Sequence, residues 1–304
     1  MDAGDAAKVF LIDASDREAA VRSLFRECGL PALSGKSVMV KANFNSADPF
    51  PASTHPDTLQ AIVRLLQESG AAKITVAERS GMGDTRENLD RLGVFDLSRE
   101  LGFEVLVLDE EPKENWVKIE RSGTHWLKGF YISKRFLDAD VVVQTCCLKT
   151  HRFGGHFTLS LKNSVGLVAR RVPGGLYDYM GELHVSPFQR LMIAEINQHY
   201  RVDLVIMDGA KAFIDGGPDK GTEVEPGLML ASRDRVALDA VGIAILRAFG
   251  AQRDADTPIF ELEQIRRAAE LGVGVASATA VESIPLDEHG RETADRIAGI
   301  LAQG

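Results

Sequence analysis

The run from Val141 to Cys147 constrains the fold of this chain more than any other feature of its sequence. It is mostly apolar and carries no charge, which is typical of a strand buried on both faces of a parallel sheet. A strand of that kind needs helices packed on both sides of its sheet, because each face must be shielded from water. The run therefore predicts an α/β protein.

Strand and helix patterns alternate on both sides of this run, as in βαβ units. Short apolar strands are predicted at residues 8–12, 37–43, 73–78, 104–109, 202–208 and 227–231, and helical periodicity at 17–29, 56–70, 85–101, 188–196 and from 234 onward. This alternation predicts a mostly parallel twisted sheet with helices on both faces. Residues 116–132 predict a small antiparallel hairpin at an edge, and residues 258–303 a helical C-terminal region.

A chain of 304 residues can bury one large core or two modest ones. We find no internal repeat, low-complexity tract or linker, so residues 1–304 are predicted to form a single α/β domain. The formal net charge of −9 argues against nucleic acid or an anionic membrane surface as a partner. Any anion must then be held by a local pocket, and a homodimer is compatible with the composition.

Cysteine usage and the N-terminal residues indicate a cytoplasmic protein. Cys28, Cys146 and Cys147 show no CxxC spacing, so the chain encodes neither a disulfide framework nor an iron–sulphur cluster. The two thiols in the apolar run are expected to be packing residues. Residues 1–8 lack the apolar core of a secretory signal, and no apolar stretch is long enough to span a bilayer.

Polar side chains gather where predicted strands end, which is where ligands bind in open α/β sheets. The largest group follows the strand at Val141 and includes a Gly154–Gly155 hinge. The candidates are Lys41 and Asn43, Glu78, Lys149, His151, Arg152, His156, Lys162, Asn163 and Asp208. Residues 170–181 form a basic, glycine-containing loop that could cover the site, and the sequence leaves open whether it does.

These residue types suit proton transfer on a small anionic, carboxylate-type metabolite. His151, Lys162 and Glu78 are the predicted catalytic groups, because imidazole titrates near neutral pH and carboxylates and amines can exchange protons when perturbed. Cationic and amide side chains can bind the substrate. The predicted substrate-binding residues are Lys41, Asn43, Lys149, Asn163 and Arg152.

Other interpretations of the same residues stay open. His151, His156 and Asp208 could together bind a divalent metal, although no HExxH-like spacing supports this. Asp208 before Gly209 could instead close a turn, and Lys149 and Arg152 could be solvated surface charges. No GxGxxG follows a strand, and GxxxxGK followed by Ser or Thr and GxSxG are both missing, so dinucleotide enzymes, P-loop NTPases and α/β-hydrolases lose their usual signatures.

Several motifs, in this order, resemble the domain of unknown function 362 family over about residues 37–250. They are Val38-Met-Val-Lys-Ala-Asn43, Thr54-His-Pro56, Ala139-Asp-Val-Val-Val143, Leu148-Lys-Thr-His151, Leu161-Lys-Asn163 with Gly166, Met207-Asp-Gly209, Gly216-Gly-Pro218 and Ser232-Arg-Asp-Arg-Val-Ala-Leu-Asp239. Many members resemble one another in carrying an additional ferredoxin-like iron–sulphur module. This chain lacks the cysteines for it, and the family name implies no reaction.

A more distant similarity is to the N-terminal domain of nickel-pincer lactate racemase. It rests on the order of a Pro- and Thr-containing loop, a helix, a strand and later a buried strand followed by His, a Gly pair and Lys. The resemblance implies that His151 matches a catalytic histidine and that Lys162 matches the lysine that anchors the nickel-pincer nucleotide. The glycine-rich second half of that motif is replaced here by Thr158-Leu-Ser160.

Two functions follow from these observations. The first is an enzyme of isomerase, lyase or oxidoreductase type that moves a proton or hydride on a small anionic substrate. The second is a metal- or cofactor-binding assembly or delivery protein without its own turnover. The identity of a cofactor, including a divalent metal, is left open by the sequence.

Overall fold

A computed structural model describes residues 6–153 and 156–303. Its strands are β1 (Ala7–Asp13), β2 (Ser37–Lys41), β3 (Lys73–Glu78), β4 (Glu104–Val107), β5 (Trp116–Ile119), β6 (Phe130–Ser133), β7 (Val141–Lys149), β8 (Leu204–Phe213), β9 (Glu223–Val224), β10 (Leu228–Ser232) and β11 (Val281–Pro285). Its helices are α1 (Arg17–Cys28), α2 (Pro56–Glu68), α3 (Thr85–Arg91), α4 (Val94–Leu101), α5 (Lys134–Leu137), α6 (Ser160–Asn163), α7 (Tyr179–Val185), α8 (Gln189–Ile196), α9 (Arg235–Ala248), α10 (Glu263–Glu270) and α11 (Glu288–Ala302).

The main sheet is mostly parallel, and β7 lies in its interior, as the sequence predicts. The strand order is β11-β1-β10-β8-β7-β2-β3-β4, and β9 pairs with β8 outside this path. Strands β8, β7, β2, β3 and β4 run parallel to one another, whereas β10 is antiparallel to both of its neighbours. The carboxyl ends of β7, β2 and β3 therefore meet at one edge of the sheet.

Helices cover both faces of this sheet, and the side chains of β8 show how the faces divide. Val205 and Met207 pack with the core against α9, α10 and α11. Leu204 and Ile206 point the other way, into the core against α1 and α2. This alternation is the period of two expected for a strand. All nine residues of β7 are buried, which agrees with the predicted central position.

Three predicted details need correction. The helix expected at 85–101 is two helices, because Gly93 adopts a left-handed conformation (φ 72°) between α3 and α4. The hairpin is antiparallel but forms its own two-stranded sheet, β5–β6, instead of extending an edge of the main sheet. The C-terminal region contains a strand as well as helices, since β11 pairs with β1 in parallel.

An irregularity between β7 and β8 shapes the loop that carries His151. Cys147 pairs with Asp208, but Leu148 pairs with Ala212, so β8 accommodates three extra residues. Beyond the strand, Thr150 N–H donates to the Phe213 carbonyl at 2.9 Å. Gly217 packs against this loop so closely that a Cβ there would lie 2.0 Å from the Thr150 carbonyl oxygen, and its φ is +65°. Only glycine fits there without strain.

The β5–β6 hairpin is tied to the helices by one buried carboxylate. Glu195 of α8 is 1% exposed. Its Oε2 accepts the backbone N–H of His125 at 2.9 Å, and its Oε1 lies 2.6 Å from His125 Nδ1. Arg267 of α10 donates to the same Oε1 at 3.1 Å. This carboxylate therefore joins the hairpin loop, α8 and α10.

Within residues 6–153 and 156–303, no helix combines the length and apolar character needed to cross a bilayer.

We expect Glu195→Ala to lower the free energy of unfolding by about 2–3 kcal/mol, because it removes the buried carboxylate that accepts from the backbone N–H of His125 and from Arg267. The matched control is Glu270→Ala, since Glu270 also pairs with Arg267, at 3.5 Å, but is about half exposed. An exposed pair of this kind contributes little, so that variant should stay within about 0.5 kcal/mol of the wild type. Urea unfolding followed by circular dichroism measures both, and equal losses would contradict the assignment.

Candidate functional site

A cavity of about 360 Å³ lies beyond the carboxyl ends of β2, β3 and β7. Its polar lining comes from the strand ends and the loops after them, and from residues between Thr158 and His184: Lys41, Asn43, Asn45, Glu78, Arg79, His151, Thr158, Lys162, Asn163, Arg170, Asp178 and His184. Of the residues predicted to share one site, Lys41, Glu78, His151 and Lys162 do line this cavity. The cavity lies at the edge where the rule for open α/β sheets expects a ligand.

A buried ion pair forms the floor of the cavity. Lys41 Nζ lies 2.7 Å from Glu78 Oε1 and 2.8 Å from Oε2, and both side chains are almost fully buried. Lys41 also donates to Asn163 Oδ1 at 3.1 Å and to the Ala42 carbonyl. Burial lowers the pKa of Lys41, and the neighbouring Glu78 opposes that shift. The pair connects β2, β3 and α6.

The carboxylate oxygens of Glu78 already accept hydrogen bonds from several groups of the protein. Besides Lys41, it accepts the backbone N–H of Phe44 at 2.8 Å and that of Arg79 at 2.9 Å. Asn163 is similarly occupied, because it accepts from Lys41 and donates to the Thr145 carbonyl at 3.1 Å. These contacts suit Glu78, Lys41 and Asn163 to positioning the strand ends. The catalytic role predicted for Glu78 and the substrate-binding roles predicted for Lys41 and Asn163 stay predictions.

The Lys41–Glu78 pair lies so close to the backbone at Gly166 that there is no room for a Cβ at this residue. A Cβ at residue 166 would lie 2.6 Å from Glu78 Oε1 and 2.7 Å from Lys41 Cε. Both distances are shorter than van der Waals contact, and the two atoms belong to side chains that are held by several partners. No side chain fits at residue 166 while the pair keeps its geometry.

Arg79 is a cavity residue that the predicted site does not include. It is 2% exposed and donates to the Ser80 carbonyl at 3.0 Å and the Val165 carbonyl at 2.6 Å. Among the residues the structure describes, no carboxylate lies within ion-pair distance of it, and its Nε has no partner. Burial lowers its pKa. Its position directly after Glu78 at the end of β3 is the sequence signal that could have identified it.

Lys162 projects into the cavity from α6, a single turn that is held firmly. Ser160 and Leu161 donate their N–H groups to Asp239 at 2.8 and 3.1 Å. The Nζ of Lys162, in contrast, has no hydrogen-bond or ion-pair partner in the described part of the chain. Burial, with the positive charges of Lys149 and Arg79, lowers its pKa to about 8. An appreciable fraction of this amine is therefore uncharged at neutral pH.

His151 and His184, which both line the cavity, differ in which ring nitrogen carries the proton. His151 Nδ1 accepts the backbone N–H of Phe153 at 3.1 Å, so the neutral ring carries its proton on Nε2. His184 Nδ1 lies 2.7 Å from the Met180 carbonyl and must donate to it, so Nε2 of that ring is an acceptor. Burial and the positive charges of nearby lysines hold the pKa of His151 well below its usual value. This ring is neutral and serves as a donor.

His184 was not predicted from the sequence. It lies on α7 at the solvent-exposed rim of the cavity. Partial burial and the positive charges of Lys162 and Arg79 lower its pKa, while its bond to the Met180 carbonyl and the charge of Asp178 oppose the shift. The segment predicted to cover the site, 170–181, does form a wall of the cavity through Arg170, Asp178, Met180 and Gly181, but its last residues belong to α7.

The predicted metal set His151, His156 and Asp208 is not assembled. Asp208 pairs with Arg17 Nε at 2.9 Å and accepts from Thr58 at 2.6 Å, away from the cavity lining. His156 Nδ1 lies 2.5 Å from Asp254. In residues 6–153 and 156–303, no three His, Cys, Asp or Glu side chains are grouped to hold a metal.

The remaining predicted residues are placed as follows. Lys149 is buried behind the cavity and donates to the carbonyls of Ala52 and Pro218, so it is not a surface charge. Arg152 pairs with Asp219 at 2.5 Å and does not line the cavity. Asn43 lines it and donates to the Ala52 carbonyl at 2.9 Å, which leaves its Oδ1 without a partner among the described residues. The predicted hinge, Gly154–Gly155, lies outside the described residues.

The resemblance to known proteins agrees with the sequence motifs. Residues 38–244 match a family model described as Domain of unknown function (DUF362). The thylakoid-associated protein sll1697 of Synechocystis is 28% identical over 194 residues, which are 64% of this chain and 57% of that protein. The chain thus spans little more than half the length of this relative.

Lactate racemase is found among similar solved structures. The apoprotein from Thermoanaerobacterium thermosaccharolyticum shows a TM-score of 0.45 and 14% sequence identity, and the superposition covers 97% of this chain and 86% of that chain.

We expect Gly166→Ala to lower the free energy of unfolding by about 2–4 kcal/mol, because the new Cβ must displace Lys41 or Glu78 from a saturated buried pair. Gly299→Ala is the matched control: a Cβ there meets nothing within 4 Å, and the residue lies inside α11. Alanine in such a position should be neutral or stabilising by up to about 1 kcal/mol. Urea unfolding compares the two variants, and equal midpoints would show that the close approach at Gly166 is unimportant.

Proposed function

The chain belongs to the DUF362 family, whose description fixes no reaction, and from that premise we propose that it is an enzyme acting on a small carboxylate-type metabolite by proton transfer. The proposal depends on one observation above all. Arg79 and Lys162 both line the cavity, and neither has a carboxylate within ion-pair distance among the described residues. The other two lining cations have such partners, since Lys41 pairs with Glu78 and Arg170 with Asp178.

Two desolvated cations without acidic partners favour an anionic ligand. Placing a charged group in a protein interior is costly unless an opposite charge or several hydrogen bonds compensate it. Because the chain has a net charge of −9, this local excess of positive charge is not a consequence of overall composition. A guanidinium such as that of Arg79 can bind a carboxylate through two parallel hydrogen bonds.

The size of the cavity supports a small ligand. Its volume of about 360 Å³ lies at the lower end of the range for small-molecule sites, roughly 300–1,000 Å³. Asn43 Oδ1 and His151 Nε2–H add one acceptor and one donor to the two cations. This combination suits a compact carboxylate that carries a carbonyl or hydroxyl group.

The two histidines give the site a way to move a proton. His151 can donate its Nε2–H to a substrate oxygen and so stabilise the negative charge that develops there, as a neutral imidazole does best when its pKa is lowered. His184 Nε2 can accept a proton from a carbon next to the carbonyl or carboxylate. Of the predicted proton and hydride transfers, these side chains can perform proton transfer. Proton transfer corresponds to an isomerase or a lyase.

We expect wild-type protein to bind small carboxylates such as pyruvate or lactate, and Arg79→Met to bind them roughly 10- to 100-fold more weakly, since a hydrogen-bonded charge pair contributes about 1.5–3 kcal/mol. Isothermal titration calorimetry measures this. Arg86→Met is the matched control, because Arg86 is exposed and pairs with Glu110 at 2.6 Å. Arg79→Lys, which keeps the charge, tests folding and should retain part of the affinity. Equal binding by wild type and Arg79→Met would contradict the proposal.

We expect the protein to exchange the carbon-bound hydrogens of a bound carboxylate with deuterium from the solvent, measured by NMR in D₂O. His184→Gln and His151→Ala should each slow this exchange by roughly 100-fold or more, the usual scale for general acid–base groups, while the melting temperature stays close to that of wild type. The rate should fall at acid pH, with a midpoint below the pKa of an ordinary histidine, because protonation of His184, whose pKa is lowered by burial, removes the acceptor. An unchanged rate in His184→Gln would exclude it as the base.

A further inference from the structure

Lys162 differs from the other lysines buried around the cavity. Lys41 contacts Glu78, Asn163 and the Ala42 carbonyl, and Lys149 donates to the carbonyls of Ala52 and Pro218. The Nζ of Lys162 has no such acceptor among the described residues, although it lines the same cavity. An amine that only neutralises charge would be expected to have acceptors around it. Lys162 is instead left open toward the ligand.

The surroundings of Lys162 favour an uncharged, nucleophilic amine. Burial lowers the pKa of Lys162 to about 8, and the positive charges of Lys149 and Arg79 act in the same direction. His151 and His184 line the same cavity, and neither supplies a negative charge that would stabilise the ammonium form. A lysine beside other cations in a desolvated pocket is activated for attack on carbonyl carbon.

The backbone that carries Lys162 is rigid, which a covalent role requires. Asp239 of α9 accepts the N–H groups of Ser160 and Leu161 and also the Ser160 hydroxyl. Asn197 donates to the Leu161 carbonyl at 3.0 Å. The turn is therefore fixed from two sides, and the amine can be held at one place relative to a bound ligand.

We propose that Lys162 forms an imine with the carbonyl carbon of a 2-oxo acid whose carboxylate is bound by Arg79. This inference rests on the proposed function and narrows its substrate class to 2-oxo acids. The Nζ of the free amine attacks the carbonyl carbon, and a C–N bond forms while the carbonyl π bond breaks. The oxygen then leaves as water with the two hydrogens of the amine, and the C=N bond is complete. No oxidant or reductant is consumed.

The neighbouring histidines have defined tasks in this step. His151 Nε2–H can donate a hydrogen bond to the carbonyl oxygen, which becomes more negative as nitrogen attacks. His184 Nε2 can accept the proton that the nitrogen loses. Once formed, the imine withdraws electrons from the adjacent carbon, so a proton there becomes easier to remove. The imine would therefore assist the proton transfer proposed above.

Borohydride trapping tests the proposal. Full-length protein is incubated with pyruvate and sodium borohydride, which adds hydride to an imine carbon and makes the link permanent. Intact-mass spectrometry should show one adduct per chain, with the mass of pyruvic acid less one oxygen atom, and peptide mapping should place it on Lys162. Lactate, which has the same charge but no carbonyl group, should give no adduct.

Two variants make the result specific. Lys162→Arg keeps the positive charge and should still bind pyruvate in calorimetry but give no adduct. Lys211→Arg removes an exposed lysine that pairs with Glu223 at 2.7 Å and should give the wild-type adduct. The trapping rate should rise about tenfold per pH unit below pH 8 and level off above it, because the free amine is the reactive form. An ordinary lysine would keep gaining rate to a much higher pH.

The outcomes separate the two proposals. Binding of pyruvate without any adduct overturns the imine and leaves the carboxylate-binding function intact. Adducts scattered over surface lysines, or an adduct that persists in Lys162→Arg, also overturn the role of Lys162. Failure to bind both pyruvate and lactate contradicts the proposed function together with the imine.

Discussion

The buried pair between Lys41 and Glu78 is the contact on which the rest of the site depends. It joins the ends of β2 and β3, and Glu78 also orders the loops that follow by accepting the N–H groups of Phe44 and Arg79. A buried ion pair is a poor source of stability when compared with apolar packing, but it is strongly directional. Here it sets the direction in which Arg79 leaves the sheet, and through Asn163 it reaches α6, which carries Lys162.

The charged groups around the cavity are therefore of two kinds. Lys41, Glu78 and Lys149 have their hydrogen bonds satisfied by the protein and hold the strand ends together. Arg79 and Lys162 line the cavity without a carboxylate partner among the described residues, and they are the groups proposed to meet the ligand. This arrangement is expected in a preorganised site. Groups whose hydrogen bonds are all made by the protein cannot reorient, whereas groups without such partners can respond to a ligand. Lys149 contributes to the open group only through its charge, which acts on Lys162 and His151.

Much of the fold could be predicted because it depends on local periodicity. The bounds of β3 are those expected, and β7 lies in the interior as its apolar run requires. The site was predicted in part, since strand ends identify which residues share an edge. What failed depended on distant partners: Asp208 pairs with Arg17, which is 191 positions away, and that contact leaves no local pattern. Arg79 follows Glu78 directly at the end of β3 and could have been included for that reason, whereas no local pattern around His184 marks it as a cavity residue.

The two edge strands of the main sheet affect whether a strand from a second copy of the chain can pair with it. At one side the last strand is β4, with four residues, and at the other it is β11, with five, of which the last is proline. Glu104 and Glu282 add an exposed acidic side chain to each of these margins. Short, charged or proline-containing margins resist the addition of a strand from a second molecule and so protect a protein against β-type aggregation. Neither margin of this sheet is therefore suited to growth by the addition of a strand from a second copy.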